Sequence, residues 1–170
     1  MPPVLQTLLL LVFPVGVIAA AMTDATRYII PNRLSAALAI AFVPAALAAG
    51  LPLTSFALCM AIGVGALAAG VGLFAFRVMG GGDAKLSAAC LLWLGPAGIV
   101  PFLLWTAVAG GALAVSLLAA RRMPGFVTAA GPRWVGRLLE PGGDVPYGVA
   151  IAVGALAAFP SSPLARLVHG

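Results

Sequence analysis

The sequence predicts an all-α fold: a polytopic membrane protein built as a bundle of about six transmembrane helices. Three observations predict it. Of the 170 residues, 63% are hydrophobic and only 8% are charged, against about a quarter charged in a soluble domain, so there is too little polar surface to cover a water-soluble globule. The apolar residues fall into long runs between short polar connections, and in hydrocarbon such runs satisfy their backbone as helices; the short alternating segments of a strand barrel are absent. Most of the nine Lys and Arg residues lie in the connections, so the basic balance reports membrane topology rather than nucleic-acid binding.

The first run, residues 4–22, follows Met1-Pro2-Pro3. That start carries no basic side chain, and the run is long enough to span, so it reads as a retained helix rather than a cleaved signal peptide. The second run, 34–49, follows Pro31-Asn32, a helix break in which Asn32 is expected to cap the free amides; Gly50-Leu51-Pro52 ends it. The third is 53–76. The fourth begins near Ala84 and stops at Gly95-Pro96, little more than half of the roughly 20 residues a crossing needs. Either it crosses a thinned region, or it continues with a kink into the fifth run, 99–120; a full merger would leave five crossings. The longest polar connection, about 121–144, contains a candidate interfacial helix at 134–139. The sixth run is 145–164. Residues 1–170 read as one integral membrane domain with a single extended loop.

With six crossings, Arg27, Arg33, Arg77, Lys85, Arg121, Arg122, Arg133 and Arg137 share one side, and Arg166 stands alone on the other. The positive-inside rule assigns the first group to the cytoplasm and both termini to the outside. All four acids, Asp24, Asp83, Glu140 and Asp144, then fall on the cytoplasmic side.

The chain offers little material for most catalytic chemistries. Cys59 and Cys90 lie inside apolar runs, with no Cys-x-x-Cys or Cys/His cluster, so neither a zinc site nor a disulfide framework is supported, and no metal or other cofactor is expected. His169 is the only histidine and sits at the extreme C-terminus. Two acids remain: Asp24 closes the first run in "AAAMTDATRYIIPN", and Asp83 opens the fourth in "VMGGGDAKL". An acid in hydrocarbon costs about 2.5–3.5 kcal/mol at a helix centre and less at its ends, and usually faces a bundle interior or a wet cavity. At matching depth the two carboxyls can meet, and two carboxyls at one site hold a single proton. The ionised member would take a proton from attacking water while the protonated member polarised a peptide carbonyl.

Gly80, Gly81 and Gly82 would let the backbone approach an extended peptide and adopt turns closed to other residues, although glycine also serves helix packing. Lys85 could bias the pair's charge or hold a lipid phosphate; as a boundary cation it needs no further role. Pro146-Tyr147-Gly148 would let the sixth helix pack closely by the active face, with Tyr147 as an interfacial anchor. The rival to catalysis is a non-enzymatic transporter or channel that uses Asp24 and Asp83 as a proton or cation relay; relay acids, however, tend to lie near the midplane.

Three stretches carry a resemblance. Gly80-Gly81-Gly82-Asp83 fits the Gly-x-Gly-Asp pattern of membrane aspartyl proteases. "GGGDAKL", "DATRYIIPNRL" and "VPYGVAIAVGAL", in their order along the chain, resemble the prepilin peptidase family from Asp24 to about Phe159. The resemblance implies an endopeptidase that removes the basic leader peptide of type IV pilin-like precursors, commonly after a glycine, at the cytoplasmic face of the bacterial inner membrane. It implies Asp24 and Asp83 as the catalytic pair, Gly80, Gly81, Gly82 and Lys85 as active-site support, and precursor proteins and membrane lipids as partners. Glu140 and Asp144 are candidates to meet the leader's basic residues. The short length is similar to the Flp/Tad (Cpa-type) branch. Nothing matches the Cys-x-x-Cys methyltransferase domain of larger members, so no N-methylation is expected. Signal-peptide-peptidase relatives share Gly-x-Gly-Asp but also carry Pro-Ala-Leu; the nearest string here, "VPAAL" at 43–47, sits toward the other face.

Overall fold

A computed structural model describes residues 3–122, 133–140 and 143–169. The elements are α1 Pro3–Arg27, α2 Asn32–Ala48, α3 Leu53–Ala75, α4 Gly81–Arg121, α5 Arg133–Leu138, α6 Tyr147–Ala158 and α7 Pro163–His169, with a 3-10 turn at Phe159–Ser161. No strand occurs among the described residues. Four helical stretches, 7–27, 53–75, 81–121 and 147–167, are long and apolar enough to cross a membrane, and α2 is a shorter apolar helix of 17 residues. The protein is an all-α, multi-pass membrane protein. Its outer surface is apolar, with Leu8, Val15, Ile40, Leu47, Val71 and Val108 exposed. Lipid tails supply no hydrophobic drive between helices, so close packing must hold them together, and small residues permit it: Gly63 lies against Leu92, Gly70 against Ala84, and Gly154 against Phe102 and Thr106.

A straight helix of 41 residues would be about 60 Å long, twice the roughly 30 Å hydrocarbon core. α4 is instead broken at Gly95, where φ is 61° and ψ is −167°. Its two halves run in opposite directions. In the first half Ala84 meets Gly70, Leu92 meets Gly63, and Gly95 reaches Cys59, so residues 81–94 run antiparallel to α3. In the second half Phe102 and Thr106 meet Gly154, and Gly110 meets Tyr147, so that half runs antiparallel to α6. α6 in turn opposes α1, since Gly148 lies on Asp24 and Phe159 stacks on Phe13 at 4.9 Å. The first half opposes α1 as well: Gly82 packs on Ile30, just past α1's end, and Trp93 lies 5.3 Å from Phe13. The kink at Gly95-Pro96 is therefore a reversal, and the six apolar segments alternate in direction even though the fourth and fifth form one continuous helical element.

Residues 81–94, about 21 Å of helix, remain too short for the full hydrocarbon core. They form an inner rod: Leu86, Cys90, Trp93 and Leu94 are fully buried, flanked by α1, α2 and α3. Trp93 donates its Nε1 hydrogen to the carbonyl oxygen of Leu38 at 2.8 Å, and Phe13 and Phe42 flank its ring. A fully buried indole requires such an acceptor.

Two local expectations are corrected. Asn32 does not cap α2: Pro31 occupies the N-cap with no side-chain hydrogen bond, and Asn32 Oδ1 instead accepts from Lys85 Nζ at 2.9 Å. A bond from a charged donor is stronger than a neutral cap, and the Pro31 carbonyl already takes the Leu34 amide at 2.9 Å. The glycine triplet adopts no unusual torsions either. Among the described residues the positive-φ glycines are Gly50 and Gly95; Gly80 has φ −67° and ψ 144°, and Gly81 and Gly82 open α4. Glycine is needed here for space. α5 forms at the expected helix in the long connection, of which residues 123–132 and 141–142 lie outside the described set. The ends of α1, α3 and α4 and the starts of α2 and α4 carry Arg27, Arg77, Arg121, Arg33 and Lys85 at one face of the bundle, while Arg166 in α7 lies toward the other.

Candidate active site

Asp24 sits in the last turn of α1 and is 6% exposed. The helix stops without glycine: Tyr28, at φ 55°, takes the left-handed position common at helix ends, and its amide donates to the Asp24 carbonyl at 2.8 Å. This turn brings buried Ile30 back over the acid. On one side, Ile30 Cδ1 lies 2.9 Å from where a Cβ on Gly148 would be; on the other, Ile30 Cβ lies 3.2 Å from where a Cβ on Gly82 would be. Ile30 is thus wedged between the starts of α6 and α4.

The Gly148 amide donates to Asp24 Oδ2 at 2.7 Å. A side chain at Gly148 would put its Cβ 2.8 Å from that oxygen, so only a bare backbone brings the donor this close. Asp83 lies in the first turn of α4, half-buried. Exposed Gly80 adjoins its Oδ2, and Gly81 faces the Phe74 ring. Ile30, packed against both Gly148 and Gly82, links the start of α6 that holds Asp24 to the first turn of α4 that carries Asp83. A pocket of about 560 Å³, lined by Phe74, Arg77, Val78, Met79 and Gly80, opens beside this edge.

The other candidates are placed differently. Lys85 is exposed and bonded to Asn32. Two positions along a helix point to different sides, so it does not share the face of Asp83. Glu140 and Asp144 are exposed. Arg121 Nε donates to the Leu138 carbonyl and Nη2 to the Asp144 carbonyl, each at 3.0 Å, which ties the end of α4 to the chain leading into Gly148. Tyr147 packs its ring on Gly110 and remains 37% exposed. Sequence reasoning missed the roles of Ile30 and Arg121. An apolar residue and a boundary arginine carry no signal in a chain rich in both patterns.

Chemically, the arrangement presents two carboxyls at one end of the bundle. One is fixed by a backbone amide; the other stands beside an exposed glycine edge where an extended chain could approach. Two such groups can share a proton and activate a water between them.

No curated protein and no solved structure matches this chain significantly. The model of the type IV leader peptidase family matches residues 11–115. That match spans both acids, the glycine triplet and Gly95, and it covers more than half of the chain, which therefore belongs to the type IV leader peptidase family.

Proposed function

We propose that this leader peptidase is an aspartic endopeptidase that uses Asp24 and Asp83 as its catalytic pair, and that it cleaves the basic leader from Flp/Tad-type prepilins. The observation that carries the reading is the placement of the two acids: helix ends 59 positions apart in sequence put both carboxyls at one face, with the Gly148 amide holding Asp24. The ionised carboxylate takes a proton from water as the oxygen attacks the scissile carbonyl. The protonated partner gives its proton to the carbonyl oxygen; as the C–N bond of the tetrahedral intermediate breaks, the first carboxyl passes the proton taken from water to the leaving amine, and the hydroxyl returns its proton to the second. Water and two carboxyls suffice, with no cofactor. Gly80 to Gly82 form the edge along which the extended leader lies, and Glu140 and Asp144 are the acids available to its basic residues.

The charge asymmetry supports the face bearing Asp24 and Asp83 as the cytoplasmic face of a bacterial inner membrane, with both chain ends across it. The 170 residues read as one peptidase domain. The proposal includes leader removal without N-methylation. The test is a reconstituted cleavage assay on a glycine-leader pilin precursor, read by mass spectrometry of its N-terminus. Undiminished cleavage by both Asp24→Asn and Asp83→Asn removes the dyad.

A further inference from the structure

A second site lies behind the inner rod. α2 and α3 both pack on α4 but hardly on each other, apart from the Phe42–Phe56 ring stack at 5.6 Å. Above that stack they leave a lateral groove of about 490 Å³ floored by the first half of α4. Each wall is one helix face at spacings of three and four: Ser35, Ala36 and Ala39 from α2, Gly63, Val64 and Leu67 from α3. The floor is Lys85, Ala88, Ala89 and Leu92. By helical geometry this floor is the face of α4 turned away from Asp83, so the groove is not part of the dyad's cleft.

Its chemistry is graded along its length. Lys85 stands at the open end. Its ammonium is exposed and bonded to the neutral Asn32 Oδ1, so its charge remains available to an anion. One turn deeper, Ser35 is 5% exposed and its Oγ has no hydrogen-bond partner, a cost unless something in the groove accepts from it. Below that the lining is wholly apolar, down to the Phe42–Phe56 stack. From Asn32 to Phe42 the helix rises about 15 Å, half of the roughly 30 Å hydrocarbon core. A groove closed at half depth does not hold a membrane-spanning substrate helix about 10 Å across; it matches one acyl chain of one leaflet.

We propose that the groove between α2 and α3 binds one phospholipid from the leaflet at the Asp24–Asp83 face. Its phosphate rests on Lys85, an ester carbonyl accepts from Ser35 Oγ, and one acyl chain lies over Ala88, Ala89 and Leu92. The site does not depend on any role of the two acids. The test uses the purified full chain with a phosphatidylglycerol that carries a photoreactive diazirine midway along one acyl chain, and maps the labelled residues by mass spectrometry. Label concentrates on Met60, Val64 and Leu67. It falls about fivefold in Ser35→Ala, the effect of one lost hydrogen bond, and by at least as much in Lys85→Gln. Ala39→Leu, which fills the groove, abolishes it; Ala36→Leu, at an exposed position, does the same should Ala39→Leu fail to fold. Label spread evenly over the outer face of Leu103, Val108 and Val115, unchanged in these variants, overturns the proposal. So does displacement of the label by the apolar segment of a pilin-like precursor, which would give the groove to the substrate.

Discussion

The amide of Gly148 donates a 2.7 Å hydrogen bond to Oδ2 of Asp24 across 124 positions of sequence. The bond fixes one acid of the candidate pair to the start of α6, and the missing side chain at Gly148 makes it possible. Gly148→Ala would press a methyl against both the carboxylate and Ile30. Overpacking of this kind costs about 1–3 kcal/mol. We expect a lower unfolding temperature in detergent and at least a tenfold loss of cleavage, since small misplacements of reacting groups carry costs of that order. Leader-removal kinetics beside a thermal scan check it.

Asp24→Asn and Asp83→Asn should each cut the cleavage rate by about 10²–10⁴-fold, the range for a lost general acid or base. Each should leave precursor binding largely intact. Single-turnover kinetics with a pilin precursor separate the two effects. A drop confined to binding would assign the acids to substrate capture instead.

Gly95→Ala tests the reversal of α4. The torsions at Gly95 lie in a region essentially restricted to glycine, where another residue costs about 1–3 kcal/mol. An added Cβ would also sit 3.0 Å from both Cys59 Sγ and Pro163 Cγ. We expect a marked fall in folded yield and unfolding temperature, whereas Gly65→Ala, with open space around it, should change neither.

Trp93→Phe keeps most of the ring packing against Phe13 and Phe42 but removes the donor to the Leu38 carbonyl. Loss of a buried hydrogen bond of this kind costs about 1–3 kcal/mol. The unfolding temperature should fall while cleavage below the transition stays near normal, because the indole sits at the far end of the inner rod from Asp83.

Arg121→Gln should lower cleavage severalfold with a smaller effect on stability. The guanidinium ties Leu138 and Asp144 to the end of α4, and this connection leads into Gly148. Hydrogen exchange at residues 143–149 should rise in the variant, which distinguishes lost positioning from general unfolding.

The helices were legible because each is marked by its own composition, and Gly95-Pro96 was visible as an interruption. What the interruption does was not legible. A kink and a reversal have the same local sequence, and the contacts that decide between them, to Cys59 and Pro163, come from distant segments. The triplet at Gly80 to Gly82 was visible too, but the turns expected of it do not form: its torsions are ordinary, and the tight spots are Gly82 against Ile30 and Gly80 against the Asp83 carboxylate. Asn32 has the composition of a cap and is drawn off by a lysine 53 positions away. The shared end of Asp24 and Asp83 follows from the alternation of segments, which can be counted along the chain. Pro146-Tyr147-Gly148 was legible as a close-packing start of the sixth helix, but the hydrogen bond from the Gly148 amide to Asp24 has no signal of its own in the sequence.

The long separation between Asp24 and its donor also sets an order in time. The ribosome makes the carboxylate 124 residues before the amide that steadies it, a lag of roughly 6–25 s at bacterial and eukaryotic synthesis rates of about 5–20 residues per second. Asp83 joins it 59 residues into that interval, and for the remaining 65 the nascent chain carries both acids without the strut that holds the first. On the proposed reading, the newly made chain is idle until the start of α6 arrives.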